Sequence, residues 1–262
     1  MENTIINNDP ANTFTVGHNF MSAMTQGEKK RMTGYKASTL PPKFEEYSAP
    51  NATSVNWVTS GAVTPVKNQG SCGSCWAFST TGSVEGAMFL STGTLQSFSE
   101  QQLMDCSGSF GNMSCNGGLM DNAFKYIKSV SGLEIESNYP YTARDGTCSF
   151  VSTKGVGKVA SYTDVPTNSP AQLKAAIAKA PVSVAIEADQ MAFQGYTSGV
   201  ITSGCGTNLD HGVLAVGYGT LGGQQFFLVK NSWGPSWGDE GYVRIGAANQ
   251  CGILNAASYP SA

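Results

Sequence analysis

From Gln69 to Ser79 the chain runs Gln69-Gly70-Ser71-Cys72-Gly73-Ser74-Cys75-Trp76-Ala77-Phe78-Ser79, and no other stretch restricts its fold so much. Gly70, Ser71, Gly73 and Ser74 carry no bulky side chains, so a second backbone can come close. Just beyond, Ala77, Thr81, Val84 and Met88 recur at helical spacing and predict a helix from Ser74 onward, with Cys75 in its first turn. Unpaired amide hydrogens and the positive end of the helix dipole favour thiolate over thiol there. Cys75 is therefore a candidate nucleophile. Taken alone, the Cys72-x-x-Cys75 pair also fits a redox couple, a disulfide member or half a zinc site, although the second close Cys or His pair that zinc needs is missing.

With 262 residues, 40% of them hydrophobic, the chain can bury one large core or two small ones. A net charge of -3 with 13% charged residues provides no basic patch for nucleic acid. No run approaches the roughly 18 apolar residues of a membrane span, and the first eight residues lack the apolar core of a signal peptide. The cysteines point elsewhere: seven, at 72, 75, 106, 115, 148, 205 and 251, fit three disulfides and one free thiol in an oxidising compartment. A leader is thus expected to have been removed from the sequence as read. The sequons Asn51-Ala52-Thr53 and Asn112-Met113-Ser114 agree with a secretory route.

Residues 1 to 50 are polar, end in a loop-like run with Pro41, Pro42 and Pro50, and make a poor independent domain; a disordered tail is one reading of them. Helices are predicted after Ser99, where Ser99 to Gln102 reads as a capping box, and over Met120, Phe124, Ile127 and Val130. Another starts at Ser169 with Pro170 in first position and Gln172 completing a box, and is expected to stop at Pro181. Strands follow: Val182 to Ile186, Gly212 to Tyr218, Gln224 to Val229 after a Leu221-Gly222-Gly223 turn, and Tyr242 to Ile245. Helices followed by strands predict an α+β fold of two lobes with a cleft between them.

The Gln69–Ser79 segment resembles the nucleophile segment of papain-like cysteine peptidases, the cathepsin L group in particular. Cysteine catalysis also needs a base and a group to orient it. The chain has only two histidines, His18 and His211, and His211 stands in Leu209-Asp210-His211-Gly212-Val213 at the head of an apolar strand. Lys230-Asn231-Ser232-Trp233-Gly234 resembles the third catalytic segment of the family. The resemblance implies Cys75 as nucleophile in an ion pair with His211, Asn231 orienting the imidazole, Trp233 shielding it, and Gln69 donating to the oxyanion. Phe14 to Thr25 is similar to the second half of an inhibitory prosegment, although Asn19 and Phe20 are adjacent and the long first helix is almost absent.

Further implications of the resemblance are a papain-like two-lobed fold, with a helical lobe over roughly 60–160 and a β-barrel-like lobe over roughly 161–262. Residues 1–50 would be a truncated prosegment and 51–262 the catalytic domain. The pairings implied are Cys72 with Cys115, Cys106 with Cys148 and Cys205 with Cys251; the spacing alone leaves connectivity open. Gly73, Gly117, Gly118, Asp210 and Trp233 would border an extended peptide, and Leu119, Met120, Ala185, Leu209 and Ala256 would form an apolar pocket for the P2 side chain. No room for an exopeptidase insertion is seen after Cys115, so endopeptidase activity on proteins and peptides is expected, with no cofactor or metal. Cystatin-like inhibitors and its own prosegment are the expected partners, the state monomeric, and the place a lysosome, a vacuole or the outside of the cell. A thiol oxidoreductase built on Cys72 and Cys75, or a catalytically silent peptide binder, are the competing readings.

Overall fold

The computed structural model describes residues 2–38, 42, 44, 45, 47, 48, 50–130 and 132–262. Pro41, in the expected loop-like run, lies outside them. The chain begins with helix α1 (Glu2–Asn8), strand β1 (Phe14–Val16), a 3-10 turn over Phe20–Ala23, and α2 (Gln26–Lys30). These are not a disordered tail: β1 pairs antiparallel with β5 (Tyr196–Gly199) of the body, and Asn19 donates through its side chain to the Gln194 carbonyl. Asn19 also caps the 3-10 turn, and Ser22 completes the cap by accepting from the Asn19 amide at 3.1 Å.

In the body, β2 (Val55–Asn56) precedes three helices: α3 (Cys75–Thr92), α4 (Glu100–Cys106) and α5 (Met120–Ser129). α3 starts where the sequence predicts. It is buried on all sides from Cys75 to Ala87, so it is a central helix rather than a one-faced one. Its small polar residues join it to the sheet: Ser79 donates to the Val213 carbonyl at 2.7 Å, and the Ser183 hydroxyl donates to the Ser79 carbonyl at 2.9 Å. Ser99 caps α4 by accepting from the Gln102 amide, but Gln102 does not close the box. Its side chain is buried and spent on Tyr126, Gly132 and Glu134.

The second half holds β3 (Ser161–Asp164), α6 (Pro170–Ile177), β4 (Val182–Ile186), α7 (Met191–Gln194), β6 (His211–Leu221), β7 (Gln224–Lys230), β8 (Tyr242–Gly246) and β9 (Ala257–Ser261). α6 stops short of Pro181, at Ile177, and Gln172 again leaves its cap for another partner, the backbone of Tyr47. The strands form one antiparallel sheet in the order β3-β9-β4-β6-β7-β8, with β2 on β6. It is an open sheet, where a barrel-like lobe was expected. Gly222 and Gly223 turn the β6–β7 hairpin with φ of 57° and 82°, the paired positive values such a two-residue turn needs.

Two apolar cores result. One lies under the sheet around Val184, Val213, Phe193, Trp233 and Trp237; the other lies among α3, α4 and α5 around Trp76, Leu103, Phe124 and Ile127. α3 packs against both the helices and the sheet, which makes it the seam between the lobes. The three disulfides are Cys72–Cys115, Cys106–Cys148 and Cys205–Cys251, as the resemblance implied, with Cys75 the free thiol. Each closes a loop of more than forty residues, which removes roughly 4 kcal/mol of unfolded-state freedom in the chain-entropy picture. The Asn112 sequon finds no support: Asn112 is buried, donating to the Ser107 hydroxyl and accepting from the Leu119 amide.

Candidate active site

Cys75, His211, Asn231 and Gln69 meet at the seam. Cys75 opens α3, whereas His211 opens β6 and Asn231 follows β7, the strand paired to it. One lobe thus provides the thiol and the other the imidazole. All four side chains are buried.

The hydrogen bonds fix which atoms can donate. Asn231 Oδ1 accepts from the Ser232 amide at 2.8 Å, and a backbone N–H only donates, so that atom is the oxygen. It also bonds His211 Nε2 at 2.8 Å, so Nε2 carries the hydrogen and Nδ1 is left as the basic nitrogen. Nδ1 is buried and has no hydrogen-bond partner. Trp233 lies over this pair, its ring centroid 4.8 Å from that of His211 and its plane tilted 32°. Gln69 is oriented by the same logic: Nε2 donates to the carbonyls of Met32 and Cys72 at 2.9 and 2.8 Å, while Oε1 accepts from the Ser232 hydroxyl at 2.6 Å. Ser232, which sequence reasoning passed over, therefore ties Gln69 of one lobe to the Asn231 segment of the other. The backbone repeats the tie, with the Gln69 amide donating to the Ser232 carbonyl at 2.8 Å.

The N-terminal segment fills the cleft. Gly118 donates to Gly34 at 2.8 Å and accepts from Lys36 at 2.9 Å, a parallel bridge centred on Tyr35. The amides of Gly34 and Tyr35 both donate to the Asp210 carbonyl. A side chain at Gly34 would collide with the Gly73 carbonyl, so only glycine lets the segment lie so deep. Met32 sits with its carbonyl on Gln69 Nε2 and, at 3.3 Å, on Trp233 Nε1. Gly73, Gly117, Gly118, Asp210 and Trp233 thus all border a peptide chain, here the molecule's own.

This occupancy sets the charge state. Burial pushes the Cys75 thiol up to about 12 and outweighs the amides of Gly212, Gly34 and Trp76, which act the other way. Burial likewise pulls His211 down from 6.5 to about 4 against the opposing effect of Asn231. Cys75 Sγ accepts from the Gly212 amide at 3.3 Å rather than bonding to His211. With the segment in place burial favours the uncharged form of both groups, and the two do not hydrogen-bond each other.

Among α5, β3 and β9 is a cavity of about 430 Å³. Leu119, Met120, Leu209 and Ala256 line it, whereas Ala185 is fully buried behind the Ala256 backbone, to which its amide donates. The lining is not wholly apolar as expected: Asp121, Asp164 and Lys125 belong to it. Behind the His211–Asn231 pair, Lys67 bridges Glu85 and Glu100 at 3.0 and 2.6 Å, and Lys230 donates to Thr64. No group of three or more potential metal ligands occurs among the described residues.

A thiol at a helix start, an imidazole oriented by an amide oxygen and a peptide backbone laid across both define a papain-type site, and residues 51–261 match the model for the papain family of cysteine proteases. The chain belongs to that family and is a cathepsin L-like cysteine endopeptidase. It is 52% identical over 228 residues to digestive cysteine proteinase 2 of the lobster Homarus americanus, covering 85% of this chain and 70% of that one. To mouse procathepsin L it is 51% identical over 215 residues, covering 79% of this chain and 64% of that one. Digestive procathepsin L 3 from the larval midgut of Tenebrio molitor superposes with a TM-score of 0.91 at 42% identity, covering 100% of this chain and 87% of that one.

Proposed function

We propose that this enzyme cleaves internal peptide bonds through Cys75, that residues 1–50 belong to its inhibitory prosegment, and that residues 51–262 are the catalytic domain. The carrying observation is the tautomer: Asn231 leaves His211 Nδ1 as the basic nitrogen, with nothing else to bond. In the open cleft Cys75 passes its proton to Nδ1, and the resulting thiolate attacks the substrate carbonyl. Gln69 Nε2 and the Cys75 amide receive the oxyanion, in the place where Gln69 now holds the Met32 carbonyl. The imidazolium then protonates the leaving amine, a thioester remains, and water deprotonated by His211 hydrolyses it and returns the thiol.

The apolar wall of Leu119, Met120, Leu209 and Ala256 supports a preference for bulky hydrophobic P2 residues over arginine. No cofactor enters the scheme. A monomer working in a lysosome, a vacuole or outside the cell, restrained by its own prosegment and by cystatin-like inhibitors, is the setting that three disulfides and the relatives favour. The test is labelling with an epoxide peptide inhibitor under mildly acidic, reducing conditions, with mass mapping and a Cys75→Ala control. Stoichiometric label on Cys75 with loss of peptide hydrolysis is expected. Hydrolysis that persists in Cys75→Ala would overturn the assignment.

A further inference from the structure

The cavity assigned above to the P2 side chain carries two carboxyls that the apolar reading does not use. Asp121 lies in the first turn of α5, and Asp164 ends β3 opposite Ser258 of β9. The Ser258 hydroxyl donates to Asp121 Oδ1 at 2.7 Å, and the carboxyls of Asp121 and Asp164 hydrogen-bond each other, which requires a proton on one of them. Burial and the neighbouring Asp164 raise Asp121 to about 6, so under mildly acidic conditions Asp121 holds a proton.

The N-terminal segment sets a side chain of its own against this pocket. Tyr35 lines it, is 8% exposed, and packs in one apolar cluster with Leu119, Met120 and Ala185. Its phenol feels both carboxyls, whose charge adds to burial in raising it to about 12, so its donor hydrogen is retained. The side chain that the segment places there is aromatic along its stem and polar at its tip.

We propose that Asp121 and Asp164 are specificity-determining residues of the P2 pocket, selecting side chains that are apolar along their length and end in a hydrogen-bond donor, tyrosine before phenylalanine. This rests on the peptidase reading of the site. Phenylalanine fills the pocket without offering the carboxyls a further donor, and a site built for a donor penalises the analogue that lacks one. Arginine is held back in acid because Asp121 is then protonated and Lys125 on α5 stands beside it. Once Asp121 loses its proton the pocket becomes more negative, with Asp164, Lys125 and Tyr162 of β3 the titratable groups beside it after Tyr35 has left. Arginine should then gain on phenylalanine.

The test compares kcat/KM for matched fluorogenic dipeptides with Phe, Tyr or Arg at P2 and Arg at P1, using the 262-residue chain activated in acid and counted by epoxide titration of Cys75. Wild type is expected to favour Tyr over Phe by about five- to tenfold at pH 5, with the Arg:Phe ratio rising several-fold by pH 7.5. Asp121→Leu should bring Tyr:Phe close to one while Phe turnover is kept. Asp121→Asn retains the volume and an oxygen for Ser258, and its amide imitates the shared proton. It should keep the Tyr preference while the Arg:Phe ratio stays flat with pH. A wild-type Tyr:Phe ratio near one overturns the proposal, as does an Asn variant whose Arg:Phe ratio climbs like wild type, and the latter decides the matter even if Asp121→Leu does not fold. Failure of the peptidase reading looks different: no label on Cys75 and no hydrolysis of any member of the series.

Discussion

The N-terminal segment and the catalytic seam touch along the whole cleft, yet they are held by different means. The seam is held by side chains, with Gln69, Ser232, Asn231 and His211 joined by bonds that only those functional groups can make. The segment is held mostly by backbone, through β1 on β5 and Tyr35 beside Gly118, and by a few buried apolar residues such as Phe14, Val16, Met21 and Met32. Backbone pairing asks little of sequence. That is why the departures around Asn19 and Phe20 cost the segment neither its course nor its seat. It follows that substitutions in the seam should change the chemistry, and substitutions in the segment should change access to it.

The largest expected effect breaks the seam. His211→Ala should lower kcat by about 10⁴-fold or more, because the base and the nucleophile act as a unit. Gln69→Ala should cost roughly 100- to 1000-fold in kcat with a smaller change in KM, since the donor acts on the oxyanion more than on the ground state. Both are read on activated enzyme normalised by melting temperature, and a loss confined to KM would remove Gln69 from the chemistry. A smaller effect, of opposite sign, belongs to the segment. Gly34→Val sets a side chain against the Gly73 carbonyl and should unseat the chain. Alkylation of Cys75 by iodoacetamide at pH 6 should then quicken by about tenfold or more, because the thiol that burial holds neutral regains access to the imidazole and to water. An unchanged rate would mean that the segment does not limit access.

How much of this was readable beforehand follows the same divide. The helix from Ser74, the hairpin at Gly222 and Gly223, and the meeting of Gln69, Cys75, His211 and Asn231 were legible because local spacing or a contiguous motif specifies them. Ser232 was not, because its role depends on Gln69, which is distant in sequence and adjacent only after folding. The same holds for Gln102 and Gln172, whose local pattern promised capping boxes while tertiary partners took their amides. Asp121 and Asp164 carry no sequence signal that joins them; the pairing of β3 with β9 sets Asp164 opposite Ser258, which bonds Asp121. The short strands β1, β5 and β9 are set by pairing across the chain and carry no alternation long enough to read.

A last and smaller effect concerns pH and separates the body from its cleft. Asp121, Asp210 and Glu100 are raised to about 6, 7 and 8, in each case first by burial. A group whose folded pKa is raised binds its proton more tightly in the folded state. Its stabilisation is therefore complete below its ordinary value near 4 and is lost as pH climbs through the raised one. His211 works the other way, its folded value lying near 4, so it costs stability in acid and stops doing so above about 6.5. Above that point nothing from His211 offsets Glu100 and Asp210. Lys230, lowered to about 8, begins to contribute only as pH passes that value. Between pH 6 and 8 the full chain should lose about 1–3 kcal/mol, several degrees in melting temperature. Glu100→Gln, which keeps the contacts to Lys67 and Thr81 while removing the proton, should flatten the upper part of that slope. If the melting temperature instead rises from pH 6 to 8, the buried carboxyls are ionised in the folded state, and the neutral interior inferred for the seam fails with them.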